Sequence, residues 1–525
     1  MQGDSTAALQ EIEPVELSAE RLQERSENLP SDAKHLESRR ILHATSWMVE
    51  ADRVSARIDE RFQAAMKLTA RRDKVYFQMG LWYDQCLQRL MDRAESVSLR
   101  KAALESKNNA GGSAGGSSSR RTGKTGSESH ELAGLHRQRD ELAFLAVNMY
   151  AKALRLGQHK YVYQAMPRLL TIVLDYGAAV QRALDGGSAD SSSSDNAHGS
   201  AVTLSQMRSS DEIRSRTARM GEAKQEVLVR MLRRISALRD HLPGYLWVLT
   251  LPQLVSRLCH RHPDVIRVMF DVMKSIVYTY HREALWMVTG LTKSRVAVRK
   301  QRGERICSAV RRAGKSHQNS IDVYSSVFGD LIRAAQQKPK DSKAKTMQVR
   351  IGSARQFRDV PVLLPTQDAL AVRLPSRKHG YAQELSGFPP DGVRATIDQF
   401  ESRAKVMASK EKPKQLTVIG SDGRRYRFLC KQELTGDLRK DARMMEHSAV
   451  VNRLLAADHE SSRRGLRLRT YSVVVTSEST GLMEWVDRCT PLRFAVKEAY
   501  QDLGVESPMA LTLRVMKPLQ KQQED

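Results

Sequence analysis

Cysteine is scarce. The chain of 525 residues holds five, Cys86, Cys259, Cys307, Cys430 and Cys489, at wide and irregular separations. No pair has zinc-ligand or redox-motif spacing, which excludes a disulfide framework and a zinc module and leaves free thiols of a reducing compartment. The run Cys259-His260-Arg261-His262 has no partner ligands nearby in the sequence, so no metal is expected there. Aromatic residues are few, at 6%. No uninterrupted apolar run approaches the roughly 20 residues of a membrane helix, so no helical span and no membrane partner are expected. The opening stretch, MQGDSTAALQEIEP, is acidic and polar and lacks the pattern of a secretory signal. Positive charge is what the chain has in excess: 85 Lys and Arg against 60 Asp and Glu, a net +25. Scattered along the whole length, this charge reads as a solvated helical surface with basic linkers. It also permits attraction to nucleic acid or an acidic partner.

Apolar spacing divides the chain. Residues from about 35 to 105 carry helical periodicity, with Tyr76, Met79, Tyr83, Cys86 and Leu90 on one stripe. A Gly/Ser-rich stretch near 106–130 and a Ser-rich stretch near 186–201 read as disordered insertions. The first contains Gly123-Lys124-Thr125, but Ser118 stands where a phosphate-binding loop needs glycine and no strand precedes it, so it is not such a loop. Helices are expected over about 132–183 and 204–335, with boundaries at Pro243 and Pro263. Their pairing suggests a helical-repeat array. The expected organisation is a helical region over 1–345, a connecting segment over 346–410 with a short helix at 393–408, a compact mixed region over 411–505, and a divergent tail over 506–525.

The mixed region changes character. Gln415–Ile419 alternates as a strand, Gly420-Ser421-Asp422-Gly423 supplies hairpin chemistry, and Arg424–Lys431 returns. On that strand Tyr426, Phe428 and Cys430 share one face, and Arg425, Arg427, Leu429 and Lys431 share the other. A lysine ending a strand beside a glycine hairpin can reach phosphates held under the hairpin. An amphipathic helix follows, with Leu438, Ala442, Met445, Ala449 and Leu455 as a buried stripe that Asn452 breaks and Met444, Val451 and Leu454 widen. Asp437 and Asp441 share a face of its first turns, where acids also suit the helix dipole. Either could pair with Lys431, Asp441 first. Strands at Arg467–Val475 and Gly481–Val486 complete the region. Val486 could offer backbone hydrogen bonds to a purine and Trp485 a stacking surface.

The segments GSDGRRYRFLCK, DLRKDARMMEHSAVVNRLL, RTYSVVV and GLMEWV resemble the phosphatidylinositol 3-kinase-related protein kinases, and within them the ATR-type DNA-damage checkpoint kinases. Upstream, YVYQAMPRLLTIVLDYG, PQLVSRLCHRHPDVIRVMFDVM and ALWMVTGLTKSR look like the helical FAT region of that group. The resemblance implies a mainly α fold of helical repeats followed by an α+β kinase N-lobe with an antiparallel sheet. It implies a nuclear serine/threonine kinase that uses ATP with magnesium or manganese. Such kinases act on Ser/Thr-Gln sites of proteins and are brought to coated single-stranded DNA, indirectly, by a partner subunit. Carried onto this sequence, Lys431 takes the phosphate-binding lysine's place and Asp441 that of its helix acid. Tyr471 lies behind that pair; Ser421, Asp422 and Gly423 belong to the loop over the phosphates; Glu484, Trp485 and Val486 form the hinge. The family usually has three residues after the lysine where this chain has five, Gln432 to Gly436. An acid usual in that stretch is replaced by Leu434, with Glu433 one position earlier. No catalytic-loop segment and no metal-binding triplet are legible, so no catalytic or metal residue is assigned and the chain as given is expected to be inactive. A non-catalytic helical scaffold with a vestigial ATP lobe, or a basic nucleic-acid-binding protein, are the other readings the residues leave open.

Overall fold

The computed structural model describes residues 57–58, 60–61, 73–110, 118–189, 204–339, 341, 343–374, 387–434, 437–490 and 492–506, with single positions up to 516. Residues Tyr76–Asp525 group as one unit and Met1–Val75 as another. The second Ser-rich insertion lies outside the described residues from 190 on. The helical stretch expected from about residue 35 is described almost entirely from residue 73 on.

Four long helices lead the larger unit: α1 (Asp73–Ala110), α2 (Ser118–Gly157), α3 (Val162–Ala189) and α4 (Leu204–His241). The expected stripe on α1 faces inward at Met79 and Tyr83, which are buried with Leu87, while Tyr76, Cys86 and Leu90 are half-buried. Buried Asp84 accepts two hydrogen bonds from Arg168 of α3, at 2.6 and 2.7 Å, and one from the Tyr150 hydroxyl of α2, at 3.1 Å. One carboxylate thereby ties three helices, its charge met by a guanidinium. Helix α1 runs to Ala110 and α2 starts at Ser118, so helix occupies both flanks of the stretch expected as a loop over 106–130. Extending a formed helix through Ser costs only a few tenths of a kcal/mol per residue, roughly, which is why composition alone misjudged those flanks.

Short helices at Gly244–Val248 and Leu251–Ser256 follow the Pro243 break. Then come α5 (Pro263–Thr279), α6 (His281–Val288), a 3₁₀ turn at Thr289–Lys293, α7 (Ala297–Arg311) and α8 (Lys315–Gln336). Both prolines sit at helix starts, where the missing N–H is harmless. Trp286 of α6 is the centre of this layer, edge-on to Tyr324 and 5.6 Å from Phe328 of α8. His260 and His262 are engaged with neighbouring protein groups. The His260 ring bonds the Leu174 carbonyl and the His262 N–H, and His262 bonds Gln225 at 2.8 Å. None of the five cysteines, all among the described residues, is joined in a disulfide. Among the described residues no helix is long and apolar enough to cross a membrane.

Among the described residues the part that follows carries an antiparallel sheet of seven strands: β1 (Thr346–Gln348), β2 (Ile397–Phe400), β3 (Arg403–Val406), β4 (Lys414–Gly420), β5 (Arg425–Gln432), β6 (Val473–Ser477) and β7 (Thr480–Glu484). The order is β1-β3-β4-β5-β7-β6, with β2 also on β4. The helix expected at 393–408 is instead the β2–β3 hairpin, and the segment expected as a connection supplies three strands. Ile397, Phe400 and Ala404 mimic helical spacing, but pairing of Phe400 with Val418 and of Lys405 with Gln415 decides for strand. Gly423, at φ +74°, makes the β4–β5 turn in a conformation other residues resist.

The sheet rests on α6 and α8. Trp286 Nε1 donates to the Leu363 carbonyl at 3.1 Å. The buried Lys414 ammonium of β4 donates to the Ala335 carbonyl in the last turn of α8 at 2.7 Å. The Cys430 thiol faces the Leu331 carbonyl, and Asp330 accepts the Gly352 N–H. Glu283 and Arg394 form an ion pair in which neither side chain is more than 8% exposed.

Candidate functional site

The two faces of β5 are as its alternation requires. Phe428 and Cys430 are buried against α8, and burial pushes the Cys430 thiol up to about 12, so it is inert. Lys431 points to the opposite face. The next helix, α9 (Leu438–Ala457), lies there, and a Cβ on Gly481, the β7 partner of Lys431, would crowd Leu438.

Lys431 Nζ is 3.4 Å from Asp441 Oδ2 and 2.9 Å from Glu433 Oε2. Burial works against the ammonium charge, but the hydrogen bond and charge of Glu433 together with Asp441 outweigh it and hold the amine above the ordinary lysine range. Asp437 does something else. Its carboxylate caps α9, accepting the Arg439 N–H at 3.0 Å, and it binds the Arg439 side chain, which with the cap bond holds it below the usual carboxylate range. Of the two acids, Asp441 therefore meets Lys431. Glu433 was missed as a partner, although a strand period of two puts residues 431 and 433 on one face.

The other candidates lie along the sheet's rim. Ser421 Oγ accepts the Thr396 N–H, and Asp422 accepts from the Arg424 N–H and the Tyr426 hydroxyl, so both brace the turn that Gly423 makes. Tyr471 is half-buried just ahead of β6. Trp485 and Val486 follow β7, half-buried, and the Trp485 N–H donates to the Arg427 carbonyl at 3.0 Å. Glu484 uses its carboxylate on protein backbone: it accepts from Gln367 N at 2.8 Å and Ser472 N at 3.0 Å, and burial raises its pKa. It anchors the end of β7 to the chain at Gln367.

The buried stripe expected on α9 is only partly so. Leu438 and Ser448 are buried, Ala442, Met445, Ala449, Val451 and Leu455 half-buried, and Met444 and Leu454 are about three-fifths exposed. The helix meets its neighbours at other points: Leu438 against Gly481, the Arg453 guanidinium 3.2 Å from the Tyr163 ring centre on α3, and Asn452 exchanging two bonds with the Leu468 backbone.

A second cluster, not legible beforehand, lies at the β6–β7 turn. The Glu478 carboxylate accepts from the Ser294 hydroxyl and from Arg295 N at 3.2 Å, and pairs with Arg299 at 3.3 Å. Burial opposes its charge, yet these donors hold the carboxyl below its ordinary value. Gly290 permits the approach, since a Cβ there would collide with the Val475 carbonyl.

Comparisons with known proteins bear on this geometry. The model of the FAT domain matches residues 3–171, that of ATR-like serine/threonine-protein kinase HEAT repeats matches 230–328, and that of phosphatidylinositol 3- and 4-kinases matches 425–524. The serine/threonine-protein kinase ATR of Oryza sativa subsp. indica is 32% identical over 68% of this chain and 12% of its own length. That of Arabidopsis thaliana is 30% identical over 82% of this chain and 14% of its own. Protein kinase rad3 of Schizosaccharomyces pombe is 28% identical over 70% and 14%. The chain thus spans about an eighth of the curated relatives it matches. Among solved structures, the FAT and kinase domain of CtTel1 superposes over 82% of this chain and 26% of that one, at TM-score 0.52 and 18% identity, a likeness of fold.

Proposed function

The chain belongs to the phosphatidylinositol 3-kinase-related protein kinases, on their ATR-type branch, and from that premise we propose that its sheet and α9 form the nucleotide-facing lobe of a serine/threonine checkpoint kinase. The observation that carries this is the Lys431 ammonium held 3.4 Å from Asp441 of the helix that follows its strand. A lysine so held meets the α- and β-phosphates of ATP as a fixed charge, and the paired acid sets its direction. The β4–β5 turn, stiffened by Ser421 and Asp422, covers the phosphates. Beyond β7, Trp485 offers its ring face to adenine and Val486 its backbone groups. The Glu484 carboxylate, bonded to Gln367 N and Ser472 N, holds that stretch in place.

Under the same proposal the whole protein works in the nucleus, transfers the γ-phosphate of ATP to Ser/Thr-Gln sites, and reaches coated single-stranded DNA through a partner subunit. Kinases of this kind use a divalent metal. Among the described residues no three His, Cys, Asp or Glu side chains come together as a metal site. No catalytic-loop Asp, His and Asn set is legible in these 525 residues, so the chain should bind nucleotide without transferring phosphate.

Calorimetric titration of the 525-residue chain with ATP tests this. Lys431→Met should weaken binding by about tenfold, a loss of roughly 1.4 kcal/mol, with an unchanged melting temperature. In the full-length protein the same change should abolish phosphorylation of Ser-Gln peptides. Absence of ATP binding by the unaltered chain would point instead to a scaffold with a vestigial lobe.

A further inference from the structure

A continuous set of contacts joins the helical region to Lys431. Ser294, Arg295 and Arg299, at the start of α7, hold the Glu478 carboxylate at the tip of the β6–β7 turn. The Arg299 and Glu478 side chains are 17% and 21% exposed, so the pair is only lightly screened. The turn is internally braced: the Thr480 hydroxyl lies 2.8 Å from that of Thr476 and 2.7 Å from that of Ser477, and Ser479 N donates to Ser477 Oγ at 3.3 Å. A displacement of Glu478 is therefore passed to its neighbour Ser479. The Ser479 carbonyl accepts the Glu433 N–H at 2.7 Å, and the Glu433 carboxylate is the nearer of the two acids on Lys431.

We propose that Glu478 is a positioning residue for Lys431: by fixing the Ser479 carbonyl it fixes Glu433, and Glu433 directs the ammonium. The helices at 289–311 thereby set the readiness of the phosphate-binding lysine from outside the nucleotide site. The consequence for ATP rests on the reading of Lys431 given above, whereas the relay itself does not. Spatial adjacency alone does not establish coupling, so the test measures coupling directly.

The 525-residue chain is labelled with acetic anhydride, with and without ATP, and Lys431 acetylation is followed by mass spectrometry. Loss of the Glu433 contact frees the amine to deprotonate. Glu433→Gln should therefore raise the Lys431 rate by about threefold to tenfold, where tenfold corresponds to one pKa unit. Glu478→Gln should raise it in the same direction, and the double variant should exceed Glu433→Gln by nothing. Ser294→Ala, a milder change should Glu478→Gln fold poorly, should give a smaller rise. Lys405 and Lys440 should label as before in every variant. An unchanged Lys431 rate in Glu478→Gln, an additive double variant, or a rise shared by Lys405 and Lys440 would overturn the relay. Failure of ATP to protect Lys431 in the unaltered chain would sink the nucleotide reading alone, and leave the relay standing.

Discussion

Asp437 and Asp441 stand four residues apart on one helix and separate two functions that the sequence left merged. Asp437 accepts the Arg439 N–H as an N-cap; Asp441 meets Lys431. Asp437→Ala should cost about 1 kcal/mol of unfolding free energy, as loss of an N-cap does, and leave ATP affinity nearly as it was. Asp441→Ala, at a carboxylate with a 43% exposed side chain, should barely move stability and should weaken ATP binding several-fold. Denaturant melts and ATP titrations on both variants give a crossed pattern; the same pattern in both would show the division of labour to be wrong. At this scale the sequence was legible where spacing alone decides geometry. Residues 437 and 441 had to share a face, and residues 428 and 430 had to oppose 431. It was silent where a partner is remote: nothing near Glu478 announces Ser294, 184 positions away.

Elements were legible when their own pattern was unopposed. The β4–β5 hairpin follows from alternation on both sides of Gly420–Gly423, and the observed pairing of Val418 with Tyr426 and Leu416 with Phe428 needs nothing from elsewhere. The β2–β3 hairpin was misjudged because its short apolar spacing serves helix and strand alike, and only the waiting edge of β4 settles it. Contact between elements also explains Lys414, a lysine 2% exposed on a strand of otherwise apolar inward positions. Its stem packs in the sheet and its ammonium satisfies a carbonyl at the negative end of α8. Burial lowers its pKa, so the charge is carried at a cost that the bond to Ala335 offsets. Lys414→Met keeps the stem and removes both the bond and the desolvation cost. It should change stability by less than about 1.5 kcal/mol, whereas Lys414→Ala leaves a void and should cost about 2 to 4 kcal/mol. Chemical denaturation of the two variants decides. Equal losses would mean that the ammonium, not the stem, carries the contribution.

For the unit as a whole, helices and sheet are held together by polar contacts set in an apolar seam. Trp286 is one of these points: 1% exposed, packed on Tyr324 and Phe328, and bonded to the Leu363 carbonyl of the chain that enters the sheet. The Glu283–Arg394 pair lies one helical turn away and crosses the same seam. Such a seam has no mirror in local sequence, since each side is complete as a pattern without the other; this is why a helical part followed by an antiparallel sheet was readable and their attachment was not. If the seam makes α6, α8 and the sheet one cooperative body, they should lose protection together. Trp286→Ala should cost about 3 to 5 kcal/mol through lost packing and the cavity left behind. Trp286→Phe keeps most of the packing and gives up the bond to Leu363, and should cost less. Hydrogen exchange read by mass spectrometry on Trp286→Ala should show the amides of β4 and β5 accelerating by the same factor as those of α8. Were α8 to exchange faster while β4 and β5 kept their protection, the sheet would be folding on its own, and the helices would be only its neighbours.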